Sequence, residues 1–304
     1  MIEYLSPTSL TRWKRSREEF FCTYMVEERP PRDPQTQPMS DGSAFDAYIK
    51  AHLASEFGLK GSTFEELFEA QVEEHNRDYA RQAGKTCFDE YIRSGAYTSL
   101  VNVLMSSDEV ELEATDRRTF DDGLTLLGKP DLRFKFKGRN VIHDWKVNGY
   151  GSAWGGSPVA GYVSFKGKCH TRACLFIEND LTIDGARILL EKEDWAVQLA
   201  TYGWLAGMSP GELFYVSVDQ LVVKGGKIDV AKHCTSMPPE YQRQCYTQYR
   251  ECWDTVASGW IFRDVSEAES RARQQQLADK HLAYKLMSDD MRKMYGLPSA
   301  KTVD

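Results

Sequence analysis

Two carboxylates and an amine stand at a spacing that could do chemistry. In GKPDLRFKFKGRNVIHDWKV (residues 128–147), Asp131 follows a proline at the head of one apolar-alternating run, and Asp144 stands two residues before Lys146 on the next. A carboxylate half-buried beside a sheet costs free energy unless positive charge lies close, and neither aspartate has an obvious basic partner in its own segment. The charge must come from elsewhere. An acid pair with an amine in reach is a set able to hold a cation and position a nucleophile, provided that the fold brings its members together.

The local pattern supplies a way to do so. In DLRFKFK, Leu132, Phe134 and Phe136 point one way while Asp131, Arg133 and Lys135 point the other; a turn around Gly138 leads into VIHDWKV, where Asp144 and Lys146 share a face. Pairing of the two strands through that turn brings Asp131, at the far end, beside Asp144. His143 and Trp145 then point to the opposite face, where core packing is expected. A preceding strand is expected over 109–114, with Val110, Leu112 and Ala114 alternating with Glu109, Glu111 and Glu113.

The surroundings read as mixed α and β. The stretch LSPTSLTRWKRSREEFFCTYMVEERP predicts one or two short helices capped at Ser6 or Thr8, followed by a polar loop over 30–40. DGSAFDAYIKAHLASEFG (41–58) predicts a helix, and 63–104 continues as polar-faced helical segments. Residues 148–171 form a glycine-rich aromatic loop or hairpin, 172–190 are strand-like, and a helix with Trp195, Leu199, Tyr202 and Leu205 on one face ends near Gly207. A hairpin around Gly225-Gly226 and a helix to Gly259 follow, and the last forty residues are polar and helical.

Bulk properties narrow the class. A chain of 304 residues, 41% hydrophobic and 27% charged, can bury a sizeable core as a soluble globular protein. No signal-peptide pattern opens it and no window approaches a membrane span, so the expectation is a cytoplasmic protein without membrane partners. Seven cysteines without a C-x-x-C pair argue for reduced thiols. The net charge of −7 does not announce a nucleic-acid binder, yet a site that gathers metal ions needs carboxylates, and RWKRSR (12–17) is a local basic run.

Pro130-Asp131 and Asp144-Trp145-Lys146, in their order with the flanking helices, resemble the core of the PD-(D/E)XK nuclease superfamily. The opening LSPTSLTRW…REEFFCTY and QLATY (198–202) are similar to the start and the Q-x-x-x-Y helix of RecB-like and phage recombination exonucleases. The resemblance covers about residues 1–260 as motif islands. It implies a restriction-endonuclease-like α/β core, a central mixed sheet flanked by helices, with a helical N-terminal portion. The nuclease domain would span 1–264 (helical portion 1–105, catalytic core 106–264), with a polar extension over 265–304. It implies a Mg2+- or Mn2+-dependent deoxyribonuclease, of exonuclease habit, from a phage or mobile element and active in the host cytoplasm. The same resemblance implies a place in DNA replication, recombination or degradation, with DNA and a single-strand-binding or annealing protein as the expected partners.

That chemistry asks for these residue types. Phosphodiester hydrolysis needs a hydroxide nucleophile near neutral pH and positive charge against the phosphate, which divalent ions bound by oxygen ligands supply. By the resemblance, Asp131, Asp144 and the main-chain carbonyl of Trp145 are metal ligands, while Lys146 orients or helps activate the water and steadies the phosphate. Two departures matter. Where RecB-like proteins often carry a histidine ligand, GSAFDA offers Asp46, a third carboxylate suited to Mg2+ or Mn2+, with Glu113 the next candidate. Where some relatives hold an iron-sulfur cluster, Ser16 stands at the early cysteine position and Cys234, Cys245 and Cys252 are spaced by 11 and 7, so no cluster is expected.

Other readings sit beside these. Gln198 and Tyr202, one helical turn apart, either face DNA or brace the site, or simply pack in the core. Arg12, Lys14 and Arg15 track phosphates or form a solvated helix face. The aromatic loop stacks on unpaired bases or is plain connection. A non-catalytic nucleic-acid-binding protein with a nuclease fold and a restriction-type endonuclease are the alternative functions.

Overall fold

The computed structural model describes residues 2–26, 34–59, 63–149, 164–165, 193–224, 226–286 and 291. Local signals start and stop its helices. α1 (Pro7–Arg15) opens on a capping box in which Ser6 and Ser9 each bond the other's main-chain N–H, with Pro7 at a position that needs no donor. Ser16 ends α1 in extended backbone and caps α2 (Arg17–Tyr24) by accepting from Glu19 N. α3 (Gln37–Phe57) stops at Gly58, whose φ of 59° is the left-handed geometry that glycine adopts without strain. α4 (Phe64–Gln71) carries a Thr63/Glu66 capping box, and α5 (Arg77–Arg93) and α6 (Ala96–Leu104) follow. Then come β1 (Ser107–Leu112), β2 (Asp116–Thr119), β3 (Thr125–Gly128), β4 (Leu132–Phe136), β5 (Arg139–Gly149) and β6 (Ser164–Phe165). The chain closes with α7 (Glu193–Leu205), β7 (Tyr215–Lys224), β8 (Lys227–Ser236), α8 (Pro239–Ser258) and α9 (Glu267–Leu286).

The chain divides into two compact units. The larger comprises Pro34–Arg117 and Gly128–Arg243 and holds a six-stranded mixed sheet in the order β1-β4-β5-β7-β8-β6. β5 and β7 run parallel, and the other neighbours are antiparallel. β5 is central, and Val141, Ile142, His143, Asp144 and Trp145 are all buried, as expected of a strand covered on both faces. One face packs Leu132, Phe134, Phe136, Val141, Trp145 and Leu221 against α3, α5 and α6 through Phe45, Ile49, Phe88, Tyr91, Leu100 and Leu104. α3 and α5 meet closely: a Cβ at Gly84 would lie 2.5 Å from Ala44 Cβ and 2.9 Å from Phe45 N. The opposite face of β5 presents Asp144 and Lys146, and α7 lies against it. This is an α/β architecture with a mixed central sheet and flanking helices.

The smaller unit comprises Met1–Asp33, Arg118–Leu127 and Gln244–Asp304. Leu5 bridges Leu126 in parallel, Trp13 meets Phe20 edge-on at 5.0 Å, and Arg17 lies over the Trp13 ring while donating to Ile261 O at 3.2 Å. α9 falls in the polar C-terminal stretch expected to be helical.

The paired β4 and β5, the β7–β8 hairpin and the other helices form as the sequence predicts. Three features differ. α3 opens at Gln37, inside the stretch 30–40 read as a loop, with Pro38 in its first turn, where the missing donor costs nothing. β2 and β3 form a two-stranded sheet in a stretch to which the sequence pattern assigns no element, because four-residue strands are too short to show alternation; DDG supplies the turn. β1 covers 107–112 rather than 109–114: its register with β4 shifts between Asp108 and Glu111, and Glu113 leaves the strand with a φ of 53°. Apart from the end of β5 and Ser164–Phe165, the glycine-rich loop over 148–171 and the strand-like 172–190 lie outside the described residues. Among the described residues no helix is long and apolar enough to cross a membrane.

Candidate functional site

Leu132 pairs with His143, so Asp131 just beyond the end of β4 comes beside Asp144 on β5. Asp131 Oδ2 accepts from Trp145 N at 3.4 Å, and the two carboxyl groups lie close enough for each to act on the other's charge. Asp144 is only 1% exposed, and neither of its oxygens accepts a well-aligned hydrogen bond. The positive charge against it is Lys146, whose Nζ lies 2.6 Å from Oδ2. Lys146 also donates to Gln198 Oε1 at 2.9 Å, and Gln198 Nε2 donates to the Tyr202 hydroxyl at 2.8 Å. Asp144, Lys146, Gln198 and Tyr202 thus form one chain of contacts from β5 to α7, which uses the one-turn spacing of Gln198 and Tyr202.

A residue that sequence reading passed over stands at the centre of the remaining acids. Lys50 on α3 places Nζ 2.6 Å from Asp46 Oδ2, 2.9 Å from Glu113 Oε1 and 3.0 Å from Asp131 Oδ1, and its side chain is 5% exposed. Asp46 lies one helical turn before Lys50; Glu113 comes from the end of β1, where its left-handed backbone turns it out of the strand alternation. Lys129 reaches the same Glu113 oxygen at 2.8 Å. The available signal was a lysine within the apolar stretch Phe45–Leu53, four residues after a candidate ligand.

Burial and charge set the protonation. Burial, reinforced by Asp131, pushes the Asp46 carboxyl up to about 7 despite Lys50. Burial pushes Asp144 up to about 7 as well, with Lys146 pulling the other way and Asp131 adding to the rise. Burial would also raise Asp131, but Lys50 and Lys146 outweigh it and hold that carboxyl below its ordinary value. For both lysines burial pulls the pKa down and the carboxylates around them win, so each stays an ammonium ion.

The donor chemistry suits a hard divalent ion between Asp144, whose buried oxygens lack aligned hydrogen-bond donors, and Asp131, whose carboxylate lies beside it and accepts from Lys50 and Trp145 N. Asp46 and Glu113 are turned to Lys50, and among the described residues no group of three or more His, Cys, Asp or Glu side chains converges as a ready metal cage. Behind β5, His143 and Trp145 pack in the interior as expected. There Asp219 accepts from Tyr91 and, at 2.9 Å, from Lys232; Trp145 Nε1 donates to the Tyr91 hydroxyl at 3.3 Å, and burial lowers His143 to about 4.

The remaining candidates lie elsewhere. Arg12, Lys14 and Arg15 belong to α1 in the smaller unit, where Arg12 donates to Thr23 Oγ1 at 2.8 Å and Arg15 pairs with Glu19. Ser16 has a structural use as the α2 cap. Cys234 is buried on β8 against Ser217, while Cys245 and Cys252 are buried on α8.

No family model matches the chain, and no curated protein matches it at a significant level. Among solved structures, a crystal structure of SSO0001 aligns over 82% of this chain and 85% of its own at 12% identity, with a TM-score of 0.28.

Proposed function

We propose that the chain is a divalent-metal-dependent DNA nuclease of the PD-(D/E)XK, RecB-like type that acts as an exonuclease. The observation that carries this reading is the strand register that sets Asp131, at the end of β4, beside Asp144 on β5, with Lys146 next to Asp144 and tied to Gln198. A binding module has no need of a buried carboxylate pair, whose charge costs stability.

Asp131, Asp144 and the main-chain carbonyl of Trp145 would hold the ion. When bound, the ion supplies positive charge for the phosphate and acidifies a water. Hydrolysis forms a bond from a water oxygen to phosphorus and breaks the bond from phosphorus to the leaving oxygen; of the water's two protons, one ends on the leaving oxygen and one passes to solvent. Lys146 remains charged, so it serves to orient the water and steady the phosphate rather than to take the proton. Gln198, held by Tyr202, fixes the direction of the Lys146 ammonium.

The test is purified protein with Mg2+ or Mn2+ on end-labelled linear and closed circular DNA. Loss of label as mononucleotides or short oligonucleotides from linear DNA, with circles untouched, is the expected result. Discrete cuts in circles would replace the exonuclease reading with an endonuclease, and intact DNA with every divalent ion would leave the binding module.

A further inference from the structure

We propose that Lys50 is a built-in second cation of this site, so that the site takes one divalent ion, at Asp131 and Asp144, and not two. The inference rests on the nuclease reading and says how its metal is arranged.

An ammonium has three donors and no acceptor. Those of Lys50 meet three different carboxylates, Asp46, Glu113 and Asp131, at 2.6, 2.9 and 3.0 Å. Its donors are therefore saturated by the same oxygens that a second ion would need. Lys50 is also not free to withdraw. It is only 4% exposed, and α3, which carries it, is seated on α5 where Gly84 leaves no room between Ala44 and the neighbouring helix. Charge supports the same count. The acids Asp46, Glu113, Asp131 and Asp144 are met by three ammonium groups, Lys50, Lys129 and Lys146. One negative charge is left over; a single divalent ion brings the cluster to one positive charge, whereas a pair brings it to three. The open coordination is at Asp144, where Lys146 stands 2.6 Å from Oδ2 but neither oxygen has an aligned donor, whereas Asp46 and Glu113 each already accept from Lys50.

Mn2+ binding to the full chain, followed by electron paramagnetic resonance at pH 8 without DNA, reads this directly. Wild type should bind one ion and Lys50→Met two, because removal of the ammonium opens Asp46 Oδ2 and Asp131 Oδ1 and leaves Glu113 Oε1 with Lys129 alone. Asp46→Asn should keep the single ion within about threefold of wild-type affinity, whereas Asp144→Asn should lose it. Two ions in wild type, one ion in a folded Lys50→Met protein, or loss of binding in Asp46→Asn each overturn the assignment of Lys50. The Asp46 arm and the wild-type count decide the matter even where Lys50→Met does not fold. No Mn2+ bound by wild type at all is a different failure: it removes the metal-dependent reading itself, and the inference with it.

Discussion

Asp144→Asn should make the metal-free protein more stable while it destroys the site. The Asp144 carboxyl rises from 3.8 to about 7 because burial outweighs the attraction of Lys146. A carboxyl whose folded pKa is raised binds protons more tightly in the folded state than in the unfolded one. Its contribution is therefore fully present below about pH 4 and is lost as the pH rises through about 7. At about 1.4 kcal/mol per tenfold, ionised Asp144 costs on the order of 4 kcal/mol at pH 8. Asparagine keeps the shape and removes the charge, but it sets a buried amide beside Lys146, which returns about 1–2 kcal/mol. The net expectation is a gain of about 2 kcal/mol at pH 8 that shrinks to nothing, or reverses, near pH 4.

Urea unfolding in EDTA at several pH values, followed by tryptophan fluorescence and circular dichroism, measures this. Mg2+ then adds a second reading, since an ion that binds only the folded state stabilises it in proportion to the logarithm of its concentration. Wild type should gain stability with Mg2+ and Asp144→Asn should not. Parallel pH profiles for the two proteins in EDTA would show that Asp144 is not held against its charge, and would refute the electrostatic account of the site.

Lys146→Ala should retain DNA affinity in Ca2+ but slow single-turnover cleavage in Mg2+ by about 100-fold or more, because the ammonium acts chiefly in the transition state; cleavage at the wild-type rate removes it from the mechanism. Gly84→Ala should destabilise the protein by about 1–3 kcal/mol, because the new methyl meets Ala44 and the Phe45 main chain; an unchanged urea midpoint contradicts the close α3–α5 contact. Asp219→Ala should cost about 3–5 kcal/mol, because it leaves Lys232 buried without its carboxylate; the same unfolding assay checks it, and a neutral effect would place water or another acid beside Lys232.

How much of this was legible depends on whether a contact follows from local periodicity. The alternation in DLRFKFK and VIHDWKV, joined by a glycine turn, fixes both the face and the register of Asp131 and Asp144, so their meeting needs no knowledge of the rest of the fold. Gln198 and Tyr202 follow in the same way from one helical turn. Lys50 does not. Helical spacing joins it to Asp46, but Glu113 and Asp131 lie 63 and 81 residues away, and Glu113 reaches it only because the chain leaves β1 in a left-handed conformation. No periodic rule yields that turn, since glutamate is not a residue that signals it.

The buried pair behind the sheet lies between these cases. Once Gly225-Gly226 is read as a hairpin turn, Lys224 faces Lys227, and stepping outward residue by residue brings Asp219 opposite Lys232. The register therefore predicts an acid facing a base. What it does not predict is that both are buried, because that depends on α5 bringing Tyr91 over the same face of the sheet. Strand pairing thus determines which charges can meet, and helix packing determines whether they meet in water or in the interior. At Asp144 the second step leaves a charge held at a cost, and at Lys50 it leaves one held in place by the acids around it.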